Sequence, residues 1–169
     1  GLVALLAAPV ASAGTFEDVM ARGTLKVGIV SETFVPYVMI DEDGDPIGFE
    51  VDLATRLASD LGVRAEFVRR PLPDLIPALL AHDADIIISG LSITMPRAKL
   101  GLFSKPYSKS EVNVLARTED GTAPELASLD AEGKTVGVVA GTVSQFVAGQ
   151  IFQHASVRDF ADESALKTA

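Results

Sequence analysis

Arg97 is the residue of this chain best equipped to hold a small anion, because it stands among hydroxyls just past a buried-type apolar run: Asp85 to Tyr107 reads DIIISGLSITMPRAKLGLFSKPY. A guanidinium offers a planar fork of donors that matches a carboxylate two-on-two. Thr94 precedes it where a helix would open, and free N–H groups at a helix start add positive potential aimed at the same anion. Ala84 to Ile88 is a short apolar, β-branched run suited to a covered parallel strand, and Ser89-Gly90 ends it at the edge where open α/β sheets bind ligands. An Arg three residues after a Thr is also ordinary surface decoration, so this spacing alone does not separate the two readings.

Other chemistries lack their residues. Cysteine is absent, which removes disulfides, thiolate metal sites and a Cys nucleophile. Asp41, Asp43, Asp45 and Asp52 fall at ligand positions of a calcium loop, but Pro46 replaces the glycine that its turn requires, so a solvated hairpin turn is expected. No phosphate-cradling glycine motif is present. His82 and His154 lie far apart at expected helix ends, where the helix dipole accounts for them. A net charge of −9 repels phosphate backbones, and apart from Arg69-Arg70 there is no basic cluster, so nucleic acid is not an expected partner.

The elements that must position Arg97 alternate between strand and helix, which predicts a parallel sheet with helices on its faces. Leu25 to Val30 reads as the first strand. The helix from about Phe49 to Leu61 carries Leu53, Leu57 and Leu61 at i+4 spacing beside Ala54 and Ala58, and Gly62 closes it. Ala65 to Arg69 is the second strand, Asp74 caps a helix that tolerates Pro77 in its first turn and ends near His82, and the strand before Arg97 follows. Beyond Tyr107, Glu111 to Arg117 reads as an extended crossing strand and 118–124 as a loop or domain border. Thr135 to Ala140 is again a strand, Gly141-Thr142 opens a helix to about His154, Val157 to Ala161 is a further strand, and Asp162 or Ser164 starts a last helix.

The N-terminus carries a different signal. Leu2 to Val10 is apolar and uncharged, and Ala11-Ser12-Ala13 before Gly14 has the small-x-small form of a signal-peptidase site. Residues 1–13 therefore read as a secretory signal without its basic start. The run is too short to span a hydrocarbon core, so the mature chain is expected to begin near Gly14 and to work outside the cytoplasmic membrane.

Two segments, read together, carry a resemblance. Gly48-Phe49-Glu50-Val51-Asp52-Leu53-Ala54, followed by Asp85, Ser92, Thr94, Arg97, Phe103, Ser104, Pro106 and Tyr107, resembles the family 3 extracellular solute-binding proteins, the periplasmic receptors of amino-acid ABC importers, over roughly residues 24 to 169. The resemblance implies a periplasmic-binding-protein-like α/β fold of two lobes, each with a mainly parallel sheet flanked by helices. The first lobe would span 14–113 and the second 114–169, left incomplete because the family's remaining segment lies beyond Ala169. It further implies a monomeric periplasmic receptor that performs no reaction, needs no cofactor, traps an amino acid or similar small carboxylate between lobes and delivers it to a membrane permease. A ligand-sensing domain of a receptor kinase, a dehydratase and a lytic-transglycosylase accessory domain share the scaffold and are the alternatives.

By the same resemblance Arg97 would pair the ligand's α-carboxylate, Ser92 and Thr94 would add backbone and hydroxyl bonds, and Thr142 would contribute from the facing lobe. Ser89 and Gly90 would line the wall with carbonyls, and Phe34 would lie over the ligand side chain, although core or hinge packing explains a Phe there equally well. Three positions depart from the family pattern. Val143 stands where many receptors have a second hydroxyl, leaving only a backbone N–H. Leu72 replaces a second aromatic, and Ser31 stands where receptors for basic amino acids often carry Asp, although Glu32 is adjacent.

Overall fold

The apolar run Thr24–Val30 forms β1, and its residues are buried on both faces, with Val27 and Ile29 fully excluded from solvent. That two-sided burial explains the run: a strand covered by helices above and below has no polar face to alternate with. The computed structural model describes residues 16–118 and 121–169, so the signal remnant at 1–13 and the start near Gly14 lie outside the described residues, as do 119 and 120 of the expected loop. The chain divides into two compact units, Gly1–Ser89 and Gly90–Ala169, an earlier division than the lobe border expected after residue 113.

In the first unit α1 (Phe16–Arg22) precedes β1, the short β2 (Met39–Ile40) and β3 (Pro46–Ile47) form an antiparallel hairpin, and α2 (Phe49–Asp60) leads to β4 (Arg64–Arg70). A 3-10 turn (Leu72–Asp74), α3 (Leu75–Leu80) and β5 (Ile86–Ile87) follow. The sheet has the order β4-β1-β5, all parallel, with Thr24 opposite Arg64 and Val27 opposite Ile86. The buried apolar side chains of α2 are Val51, Ala54 and Ala58, while Leu53, Leu57 and the C-cap Leu61 flank them half-buried. Small residues at the centre of the stripe let the helix approach the sheet closely, and the leucines fill the margins.

The hairpin is organised as its acidic turn predicts. Asp41 Oδ1 accepts from the backbone N–H groups of Asp43 (3.0 Å) and Asp45 (2.8 Å), an Asx turn that consumes the carboxylate locally. Asp74, expected as a helix cap, instead has helical backbone angles and makes no side-chain capping bond, because the 3-10 turn feeds directly into α3. Asp85 joins sheet to helix: its carboxylate accepts from Lys26 N at 2.7 Å and from the Arg22 guanidinium.

The second unit contains α4 (Met95–Ala98), α5 (Leu126–Leu129), β6 (Thr135–Val139), α6 (Val143–Ile151), β7 (Ser156–Phe160) and α7 (Glu163–Thr168). Strands β6 and β7 are parallel neighbours over a small core of Val138, Ala148, Phe152 and Ala155. Asp162 caps α7 by accepting from Ala165 N at 2.8 Å. The crossing strand expected at Glu111 to Arg117 is absent: 111–117 is irregular and exposed apart from half-buried Ala116. No strand among the described residues lies beside it, and an unpaired strand has no ladder to define it.

Helix α6 also stops at Ile151, short of His154, and the reason is Asp130. Its carboxylate accepts from His154 N at 2.7 Å and Ala155 N at 2.9 Å, and meets His154 Nδ1 at 3.0 Å, pulling the chain out of the helix. The Ala155 and His154 backbone donors, then the His154 ring, hold the Asp130 carboxyl well below the usual carboxylate range. A carboxyl depressed in the folded state stabilises it above the unfolded value of about 3.9, and that contribution is lost as pH falls through the lower folded value. Asp130→Ala should therefore lower the melting temperature at neutral pH, with the gap from the parent protein closing below about pH 4. Melts recorded from pH 7 to pH 2 check this, and a pH-independent gap would contradict it.

Candidate functional site

Thr94 is extended (φ −131°, ψ 154°), and its hydroxyl accepts from Arg97 N at 3.4 Å, so it opens α4 as an N-cap. The single turn that follows turns the Arg97 guanidinium toward two carbonyls. Nη1 donates to Ser92 O at 3.0 Å and Nη2 to Gly141 O at 2.8 Å. Burial lowers the Arg97 pKa, but a guanidinium starts so high that it stays charged at physiological pH. Held by two carbonyls, it keeps the rest of its five N–H donors for another acceptor, in an orientation already fixed. That arrangement suits a carboxylate.

The second carbonyl comes from the end of β6, where the backbone turns through Gly141 with φ 74°. Thr142 then caps α6: its hydroxyl accepts from Gln145 N at 3.4 Å and donates to Val139 O at 2.7 Å. The hydroxyl proton of Thr142 is thus committed inside the protein, and Val143 is the first residue of the helix. Gly141 N donates to Gln145 Oε1 at 2.8 Å, and Gln145 Nε2 donates to Asp159 Oδ2 at 2.9 Å.

The structure brings Ser92, Thr94, Arg97, Gly141 and Thr142 together in the second unit, with Ser92 engaged through its carbonyl. Gly90 opens that unit, exposed, at φ 59°. In the first unit Ser89 is buried, and its hydroxyl accepts from Val30 N at 2.8 Å. Its side chain therefore closes the end of β1.

Phe34 is 45% exposed, which removes core packing as its explanation. Its ring stacks on Tyr37 with centroids 4.9 Å apart, and Tyr37 meets Phe49 edge-on at 6.3 Å. Sequence reasoning missed Phe49 and Tyr37 as members of this cluster, and it missed Gln145 and Asp159. The spacing Thr142-x-x-Gln145, a capping-box pattern, was the signal available for Gln145. Leu72, at the second aromatic position, is half-buried against the first core.

Residues 25–165 match the family described as bacterial extracellular solute-binding proteins, family 3. An arginine-binding periplasmic protein of Mannheimia haemolytica is 31% identical over 79% of this chain and 53% of its own length. The L-cystine-binding protein TcyJ of Escherichia coli strain K12 is 33% identical over 90% of this chain and 57% of its own length. The chain thus spans about half the length of these curated relatives. Among solved structures, the ancestral amino acid-binding protein AncCDT-1, a precursor of cyclohexadienyl dehydratase, aligns with a TM-score of 0.78 at 34% identity, over 89% of this chain and 67% of that one. The fold is accordingly the periplasmic-binding-protein-like α/β fold, with helices flanking parallel sheets in both units.

Proposed function

The chain belongs to the bacterial extracellular solute-binding proteins, family 3, and from that premise we propose that it captures an amino acid or similar small carboxylate in the periplasm and delivers it to an ABC-type membrane permease. The observation that carries this reading is Arg97, charged, half-buried and held by the carbonyls of Ser92 and Gly141. A fork so oriented binds a carboxylate bidentately. Ser92, Thr94, Thr142 and Val143 are the proposed companions of Arg97 in carboxylate binding. We also propose a ligand-facing role for the Phe34 ring and for the wall carbonyls of Ser89 and Gly90.

The names of the relatives support an amino acid in particular. One binds arginine and one cystine, and what those two molecules share is the α-amino-acid head group. Ser31 stands where receptors for basic amino acids often carry Asp, and Leu72 and Val143 also depart from the family pattern, which supports a preferred side chain other than lysine or arginine. Among the described residues no helix is long and apolar enough to cross a membrane. The names of the relatives are those of binding proteins and not of enzymes, which supports a receptor without catalysis.

The test is a thermal-shift screen of the full-length mature protein against the common amino acids and L-cystine. A ligand that binds only the native state raises its melting point, by the equivalent of about 2.7 kcal/mol at a hundredfold excess over Kd. At least one amino acid should give such a shift. No shift with any of them overturns the proposal.

A further inference from the structure

We infer that Gln145 and Asp159 are positioning residues for the carboxylate site: they fix the backbone at Gly141, and Gly141 in turn aims the Arg97 guanidinium. This rests on the receptor reading above. The chain of bonds lies wholly within the second unit and runs from Asp159 Oδ2 to Gln145 Nε2 (2.9 Å), from Gln145 Oε1 to Gly141 N (2.8 Å), and from Gly141 O to Arg97 Nη2 (2.8 Å).

Each link has a defined direction. A backbone N–H can only donate and a carboxylate can only accept, so the Gln145 amide is oriented by both neighbours at once, oxygen toward Gly141 and nitrogen toward Asp159. Gly141 needs such a restraint. It has no Cβ, occupies the left-handed region and is exposed, so no side chain of its own holds its carbonyl on Arg97. Hydrogen bonds to its flanking peptides must do so.

Ordinary helix capping does not account for the arrangement. In a capping box the residue at the third helical position reaches back to the N-cap's own N–H, which here belongs to Thr142. Thr142 N turns instead to Val139 O at 3.4 Å, and the Gln145 side chain reaches one residue further, to Gly141. Asp159 lies on β7 opposite Val138 in β6, where it holds the far end of the amide. A glutamine and an aspartate are thus committed to the glycine whose carbonyl accepts from Arg97.

Three variants of the full-length protein test this. Gln145→Leu removes both bonds. Gln145→Glu keeps the acceptor for Gly141 but sets a second carboxylate against Asp159, and Gln145→Glu combined with Asp159→Asn restores the lost bond with its donor and acceptor exchanged while Gly141 N–H still donates to residue 145. Calorimetry with whichever of L-arginine, L-histidine and L-cystine gives the largest melting shift should show binding weakened about fivefold to tenfold in Gln145→Glu, which loses one hydrogen bond, at least as much in Gln145→Leu, which loses two, and recovered in the double variant. Amide hydrogen exchange at Gly141, read without any amino acid, should quicken in Gln145→Leu and slow again in the double variant.

Affinity that falls no further than the melting temperature explains, with Gly141 exchange unchanged, overturns the inference and leaves the receptor reading intact. Failure of the parent protein to bind any amino acid overturns the receptor reading and this inference with it.

Discussion

Arg97→Ala in the full-length protein should weaken amino-acid binding by two orders of magnitude or more, roughly 3–4 kcal/mol, because it leaves a desolvated carboxylate without its charged, hydrogen-bonded partner. The effect should fall on binding and not on folding. The carbonyls of Ser92 and Gly141 lose their donor, but Gly141 is exposed and Ser92 only half-buried, so water can replace the guanidinium at both. A melting temperature within a few degrees of the parent is therefore expected alongside the lost affinity.

Arg97→Lys separates charge from geometry. An ammonium has three donors on a single nitrogen and no planar fork. It cannot hold two diverging carbonyls and still meet a carboxylate two-on-two, so about a tenfold or larger loss is expected with the charge intact. Isothermal calorimetry on the three proteins decides the matter. Unchanged affinity in Arg97→Ala would remove this residue from the site.

What the sequence made legible, and what it hid, divides along the range of the interactions. Strand β1, helix α2 and the β6–α6 turn were readable because their determinants are local: an unbroken apolar run, a 3.6-residue stripe, a Gly-Thr pair at a strand end. Thr94 was readable as a cap for the same reason. The hydroxyl of Ser89 was not, since its partner Val30 lies 59 residues away. Neither was the early end of α6, set by Asp130 across 24 residues.

Arg97 is the instructive intermediate case. Its type and its distance from Thr94 were visible, but one of its two partners, Gly141, is 44 residues distant and is reached only when the second unit folds. Spacing could nominate the arginine without showing what aims it. The segment 111–117 failed in the opposite direction: its residues favour a strand, but propensity makes a strand only where a neighbour completes the ladder.

Gly48→Ala should be the most destabilising single methyl added to the first unit, at about 3 kcal/mol or more, because it breaks a backbone conformation and a close packing contact together. Gly48 caps α2 at φ 118° and ψ 179°, a region essentially reserved for glycine. A Cβ there would lie 2.6 Å from Tyr37 O and 2.9 Å from Pro36 O. Both are backbone atoms, so no side chain can swing aside. They cannot retreat freely either, since Phe49 N donates to Pro36 O at 3.2 Å and Glu50 N to Tyr37 O at 3.0 Å. Those bonds tie the 34–38 loop, with its Phe34 and Tyr37 rings, to the first turn of α2. Relieving the clash therefore means pushing the aromatic loop off the helix that Phe49 begins. Gly62→Ala is the matched control: φ is also positive, at 73°, but nothing lies within 4 Å of the added carbon, so only the left-handed penalty of about 1 kcal/mol applies. Denaturant melts of the two variants should therefore differ by about 2 kcal/mol or more. Equal destabilisation would mean that the 34–38 loop does not rest on the α2 cap, and the position of Phe34 would then have to be explained without it.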